Sequence, residues 1–145
     1  MKVRDIIREK GSKVYSIEPN ATVFEAIAEM ADKSIGSLLV MEENQLRGII
    51  TERDYREKVI LEGRTSKTTR VEEIMTSNVH CVDMEKSVEE CMAVMTNRKF
   101  RHLPVMENNE IAGVISIGDL VKSIISKQKI EIENLTSYIS GTYPG

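Results

Sequence analysis

Residues 14–54 read VYSIEPNATVFEAIAEMADKSIGSLLVMEENQLRGIITERD, and residues 79–119 read VHCVDMEKSVEECMAVMTNRKFRHLPVMENNEIAGVISIGD. Laid over each other at an offset of 65 positions without a gap, the two stretches agree at 13 of 41 positions. Unrelated sequence of average composition would agree at roughly 2–3. Other positions exchange like for like, such as Ile17 for Val82, Thr22 for Ser87 and Thr51 for Ser116. The chain is therefore one structural unit used twice. Matching polar residues in the two copies predict two related sites.

Each copy spells the same order of elements. A short β-type run (Val14 to Ile17, Val79 to Val82) precedes a helix that opens on a capping box, Thr22 with Glu25 and Ser87 with Glu90. Apolar residues then recur at helical spacing, Val23, Ala26, Ile27 and Met30 against Val88, Cys91, Met92 and Met95. Two further β-type runs follow, 35–41 with 46–51 and 103–106 with 111–116, separated by polar tetrads containing Asn. Such a break suits a hairpin. Gly48 and Gly113 recur in the last strand, where glycine marks a bulge or a close backbone approach. A second helix begins at Thr51 and Ser116. The expected class is mixed α/β (α+β), with β-α-β-β-α units at 1–61 and 71–126. A polar linker at 62–70 joins them, and an amphipathic helix and tail at 127–145 closes the chain. The segments Val3 to Ile7 and Val71 to Met75 also match, at an offset of 68. In the tail, apolar positions continue at Val121, Ile125, Ile132, Leu135 and Ile139, with Gly141 and Pro144 as stop signals. That helix either packs back on its own domain or meets a partner.

Composition narrows the function. At 145 residues and 41% hydrophobic the chain can bury a real core. A net charge of −3 gives no electrostatic footprint for nucleic acid. Six aromatics and no Trp argue against a base-stacking platform. No apolar run has membrane-spanning length, and the N-terminus lacks a signal-peptide core, so a cytoplasmic protein is expected. Cys81 and Cys91 correspond to Ser16 and Ala26 and form no metal or redox motif. His80 and His102 are too few for a zinc site. No catalytic triad, phosphate loop or dinucleotide fingerprint appears, so no catalytic residue is assigned.

Two local patterns can carry function. Gly48-Ile-Ile-Thr51-Glu-Arg-Asp54 and Gly113-Val-Ile-Ser116-Ile-Gly-Asp119 each place a hydroxyl residue three positions before an aspartate. On spacing alone this is a helix cap. It is also a means of binding the vicinal hydroxyls of a ribose, since a cap residue keeps spare lone pairs. The second pattern, Asn97-Arg98-Lys99-Phe100-Arg101-His102-Leu103-Pro104, is rich in cations, whereas its counterpart around Lys33 has one. Arg101 and His102 stand just before a strand and suit phosphate, unless they belong to an ordinary solvated loop. Arg53, in the first helix turn, could add a cation or be a plain surface residue.

These motifs, with Arg101-His-Leu-Pro-Val105, resemble the cystathionine-β-synthase (CBS) domain pair over residues 3 to 125. The resemblance implies tandem CBS repeats packed around a pseudo-twofold axis, with two nucleotide clefts between the repeats. It also implies an adenosyl ligand: AMP, ADP, ATP, NAD(H) or S-adenosylmethionine. Thr51 with Asp54, and Ser116 with Asp119, would hold ribose. Arg101 and His102 would reach phosphate. The adenine would lie near Tyr15 to Ile17 or His80 to Val82, and near Ile35 or Pro104. The family resemblance also implies homodimers and, for a chain with no room for an effector domain, a separate effector protein as partner. The resulting expectation is a nucleotide-sensing regulatory module with clefts of unequal affinity. A ligand-independent dimerisation or scaffold protein is the alternative.

Overall fold

In a computed structural model, which describes residues 1–140, the chain forms two compact units. One, the inserted unit, is Lys13–His80. The other, the split unit, joins Met1–Ser12 to the chain from Cys81 onward.

The inserted unit contains β1 (Ser16–Ile17), α2 (Val23–Lys33), β2 (Ser37–Glu42), β3 (Gln45–Thr51), α3 (Glu52–Tyr55) and α4 (Val71–Ile74). A π-helical turn, Arg56–Ile60, continues α3. The split unit contains α1 (Val3–Lys10), β4 (Val82–Asp83), α5 (Val88–Arg98), β5 (His102–Glu107), β6 (Glu110–Ser116) and α6 (Ile117–Ser140). Each unit holds a three-stranded sheet, in order β1-β2-β3 and β4-β5-β6, with the first pairing parallel and the second antiparallel.

The local signals act as their chemistry dictates. Thr22 accepts the Glu25 amide at 3.1 Å and Glu25 accepts the Thr22 amide at 3.2 Å, and Ser87 with Glu90 repeats the exchange. Both hairpins turn through two consecutive residues of positive φ, Glu43-Asn44 and Asn108-Asn109, the twist that two-residue loops favour. Opposite Val40 and Val105 the register shifts, leaving Arg47 and Ala112 bulged. The strand glycines thus sit at a bulge, and they also meet a close neighbour. A methyl on Gly48 would lie 2.7 Å from the Thr76 carbonyl and 2.8 Å from the Met75 sulfur. One on Gly113 would lie 2.7 Å from the end of the Ile7 side chain.

Those neighbours belong to the segments that match at the offset of 68. In the inserted unit, the Val23 amide donates to Thr69, the Val71 amide to Ala21 and the Glu72 amide to Pro19, at 2.8, 2.8 and 3.0 Å. In the split unit, the Val88 amide donates to Met1, the Val3 amide to Lys86 and the Arg4 amide to Met84, at 3.0, 2.8 and 3.0 Å. These are the same three bonds. The stretch before α4 and the chain's first residues do the same work, satisfying an amide that a helix N-terminus leaves open. Buried Thr69 is itself held by the Thr65 carbonyl at 2.8 Å. Val71 and Ile74 enter one core, and Val3, Ile6 and Ile7 enter the other. Each such side chain contributes roughly 1.5–3 kcal/mol when fully buried. Glu85 reinforces the second docking by accepting hydrogen bonds from Lys2 and Arg4, and those bonds, with the two charges, hold its carboxyl down at about 2.

The glycine surroundings predict unequal costs. Gly48→Ala meets backbone that cannot yield and should destabilise by about 1–3 kcal/mol in urea denaturation. Gly113→Ala meets only the tip of Ile7, which can turn away, and should stay within about 1 kcal/mol of the parent. Equal costs would show that the leading segments do not lie against β3 and β6 as described.

Candidate functional site

In the split unit, β5 and β6 pair His102 with Ser116, so the basic and the Ser–Asp patterns meet at one end of the sheet. Arg101, exposed, fixes the start of α6 by accepting the Ile117 amide on its carbonyl at 2.8 Å. Ser116 caps α6. Its hydroxyl accepts the Asp119 amide at 3.2 Å, and Asp119 Oδ2 accepts the Ser116 amide at 2.8 Å. The same oxygen takes a bond from Lys10 Nζ at 2.7 Å, and Lys10 also donates to the Val114 carbonyl at 2.8 Å. Asp119 Oδ1 has no partner among the described residues.

Electrostatics follow from this packing. Burial pushes the Asp119 carboxyl up, but the Lys10 ammonium and the Ser116 cap outweigh it and hold the group below its ordinary 3.8. His102 lies below its ordinary 6.5, first through burial and then through Lys10, with Asp119 pulling the other way. It is neutral at pH 7. Its protonation on unfolding means that stability falls as pH drops below 6.5 toward the lower folded value. Asp119 acts in the acid range. Its contribution is present above 3.8 and is lost as pH falls through the lower folded value.

The corresponding end of the inserted unit is built differently. Thr51 caps α3, accepting the Asp54 amide at 3.1 Å, while Asp54 Oδ2 accepts both the amide and the hydroxyl of Thr51 at 3.0 and 3.1 Å. Asp54 Oδ1 pairs with Lys58 Nζ at 3.0 Å, and Lys58 also donates to the Ile74 carbonyl at 2.9 Å. Asp54 is only 8% exposed, and each of its oxygens has a partner. Arg53 is exposed and binds Glu57 at 3.1 Å. Tyr15, Ile17 and Ile35 line the core edge, and the ammonium groups of Lys13 and Lys33 lie 5.4 and 5.7 Å from the Tyr15 ring centre.

Pro104 makes a further difference. Its counterpart Leu39 donates its amide to the Tyr15 carbonyl at 3.2 Å. Proline has no amide to give. Strand β4 accordingly begins one position later than β1, and no donor among the described residues reaches the His80 carbonyl. Val82 is buried in the core of the split unit, and Pro104 is buried too.

A family model described as CBS domain matches residues 3–60 and again 71–126. The chain belongs to the CBS domain family. The CBS domain-containing protein CBSX3, mitochondrial, of Arabidopsis thaliana is 35% identical over 97% of this chain and 73% of its own. A solved structure of a signal-transduction protein with CBS domains from Burkholderia ambifaria MC40-6 superposes with a TM-score of 0.85 at 48% identity, covering 88% and 96% of the two chains. A hexameric CBS-CP12 protein from bloom-forming cyanobacteria does so with a TM-score of 0.77 at 25% identity, covering 100% and 84%. Each CBS match begins at a leading helix, Val3 or Val71, and so takes in residues of both compact units.

No group of three potential metal ligands occurs among the described residues. No helix among them is long and apolar enough to cross a membrane. Cys81 and Cys91 are unpaired, and burial pushes the Cys91 thiol to about 11. The sequence pattern missed both lysines. Lys58 was readable, four residues after Asp54 on one helix face. Lys10 was not, because nothing local places α1 on the second sheet.

Replacing the Lys10 charge, as Lys10→Met, should raise the titration points of both His102 and Asp119 in an NMR pH titration. Asp119→Asn should instead lower that of His102. Unchanged values in Lys10→Met would mean that Lys10 is not clamped between β6 and α6 in solution.

Proposed function

We propose that this CBS pair is a regulatory module that binds an adenosine nucleotide chiefly through the Ser116–Asp119 end of its split unit and signals to a separate effector protein. The observation that carries the reading is the inequality of the two aspartates. Both Asp54 oxygens already have partners on a nearly buried side chain. Asp119 keeps Oδ1 open on a capped helix beside Lys10, Arg101 and His102. A ribose hydroxyl can donate to that oxygen, and the two permanent cations suit phosphate. Thr51 and Asp54 then serve mainly as a structural cap, and Tyr15, Ile17, Ile35 and Arg53 contribute to a weaker second site at most.

Charge also ranks the ligands. Lys10 and Arg101 favour AMP, ADP, ATP or NAD(H) over S-adenosylmethionine, whose sulfonium adds positive charge. The reading assigns no chemistry to the chain. It takes the protein to be cytoplasmic, where unpaired cysteines stay reduced, and to act as an oligomer, the hexameric CBS-CP12 relative lending support. The ligand acts by its differential affinity for two shapes of the pair. The competing reading, a ligand-independent scaffold, draws on the apolar side chains that α6 leaves in solvent.

A melting panel with AMP, ATP, NAD and S-adenosylmethionine separates the two, because a ligand specific for the folded state raises its stability. Saturable stabilisation by a phosphorylated nucleotide is expected. Asp119→Asn should weaken its binding at least about tenfold, or about 1.4 kcal/mol. Asp54→Asn should lower the melting temperature but leave Kd within about threefold. No stabilisation by any nucleotide supports the scaffold instead, and full binding by Asp119→Asn removes the ribose assignment.

A further inference from the structure

Helix α6 begins inside the split unit and then leaves it. Leu120 is fully buried and Ile124 packs on the core. Beyond them Ile125, Ile132 and Leu135 are 58%, 63% and 59% exposed. With Val121 and Gln128 they follow the alternating 4-3-4-3 spacing of a heptad, and the sequence extends it to Ile139. Ile125 and Ile132 take the a positions, and Val121, Gln128 and Leu135 the d positions. Most helical stability in proteins comes from packing an amphipathic face, so this bare stripe calls for a cover.

We propose that a second copy of this chain supplies that cover, the two α6 stripes pairing in register as a parallel two-stranded coiled coil. The pairing is independent of nucleotide binding. Ile at both a positions, with Leu135 at one of the d positions, favours two parallel strands. Gln128 favours self-pairing in register. A parallel alignment sets its amide against the same amide of the second copy, and each carries both donors and an acceptor. An apolar partner would bury that amide unpaired, at a cost of about 1–3 kcal/mol.

The flanking charges exclude the antiparallel alternative. An antiparallel pair that packs Ile125 on Leu135 also sets Gln128 against Ile132. It brings Lys129 against Lys129 and Glu131 against Glu131. In the parallel pair Glu131 flanks Thr136 and Ile124 flanks Lys129, so no like charges meet. Ile130, 59% exposed, lies off the stripe at an f position and serves as a control.

Cysteine cross-linking of the full chain tests this, in a Cys81→Ser, Cys91→Ala background that borrows the residues of the other copy. In-register d positions bring α-carbons within disulfide range, so Gln128→Cys should form a disulfide-linked dimer at least roughly tenfold faster than Ile130→Cys. Adding Ile132→Asp and Leu135→Asp, both on the exposed face, should abolish that link while circular dichroism shows the domain still folded. Equal rates at 128 and 130, no dimer at all, or a link that survives the two aspartates each overturn the proposal.

Discussion

The fold depends on three backbone hydrogen bonds, made twice. In each unit a leading segment donates two amides to the loop before a helix and accepts one from that helix's first turn. Helix N-termini leave amides that must be satisfied, and here the donors' partners come from far along the chain. The segment that docks on copy one is Thr69–Glu72, and the one that docks on copy two is Met1–Arg4. Each sequence repeat therefore lends its first helix to the unit built by the other. The split unit closes only when residues 1–7 return to a sheet more than seventy positions away, which makes the N-terminus a core element.

That exchange explains why two aspartates in matching motifs differ. Both cap a helix, and both hold a lysine that also grips a backbone carbonyl. The lysines come from places that do not correspond. Lys58 sits one turn after Asp54 on the same helix, and at its counterpart stands Ser123. Lys10 arrives on the docked α1, between the stretches that match at offsets of 68 and 65, and has no defined counterpart in the other copy. A lysine on the same helix reaches the far oxygen, so Asp54 is fully engaged. A lysine from above shares the oxygen that already serves the cap, so Asp119 keeps one free.

Much of this was legible in the residues. The capping boxes, hairpins and strand order follow from short-range rules that leave few alternatives, and the repeat doubled every signal. The glycines were readable as crowded positions, but not by what. Gly48 and Gly113 are crowded by Met75, Thr76 and Ile7, which local pattern cannot bring near. The family resemblance sets Val82 beside the adenine, yet its side chain belongs to the core of the split unit. Symmetry between copies predicts placement on a strand and says less about solvent access. The consequence of Pro104 needed the sheet order, since a missing amide matters only where a central strand should have donated one.

Position on α1 gives Lys10 a second consequence. Its ammonium ties the last turn of the leading helix to β6 and α6, close to His102. If phosphate binds at this end, the same ammonium can turn to it, and moving toward phosphate means loosening from Asp119. Ligand occupancy and the docking of α1 then share one group. The size of any coupling equals the difference between the two ways Lys10 can be satisfied, and a ligand without phosphate would leave α1 as it is. In the inserted unit the tie runs the other way, since Lys58 comes from the helical stretch that Asp54 caps and reaches out to the Ile74 carbonyl at the end of the docked α4.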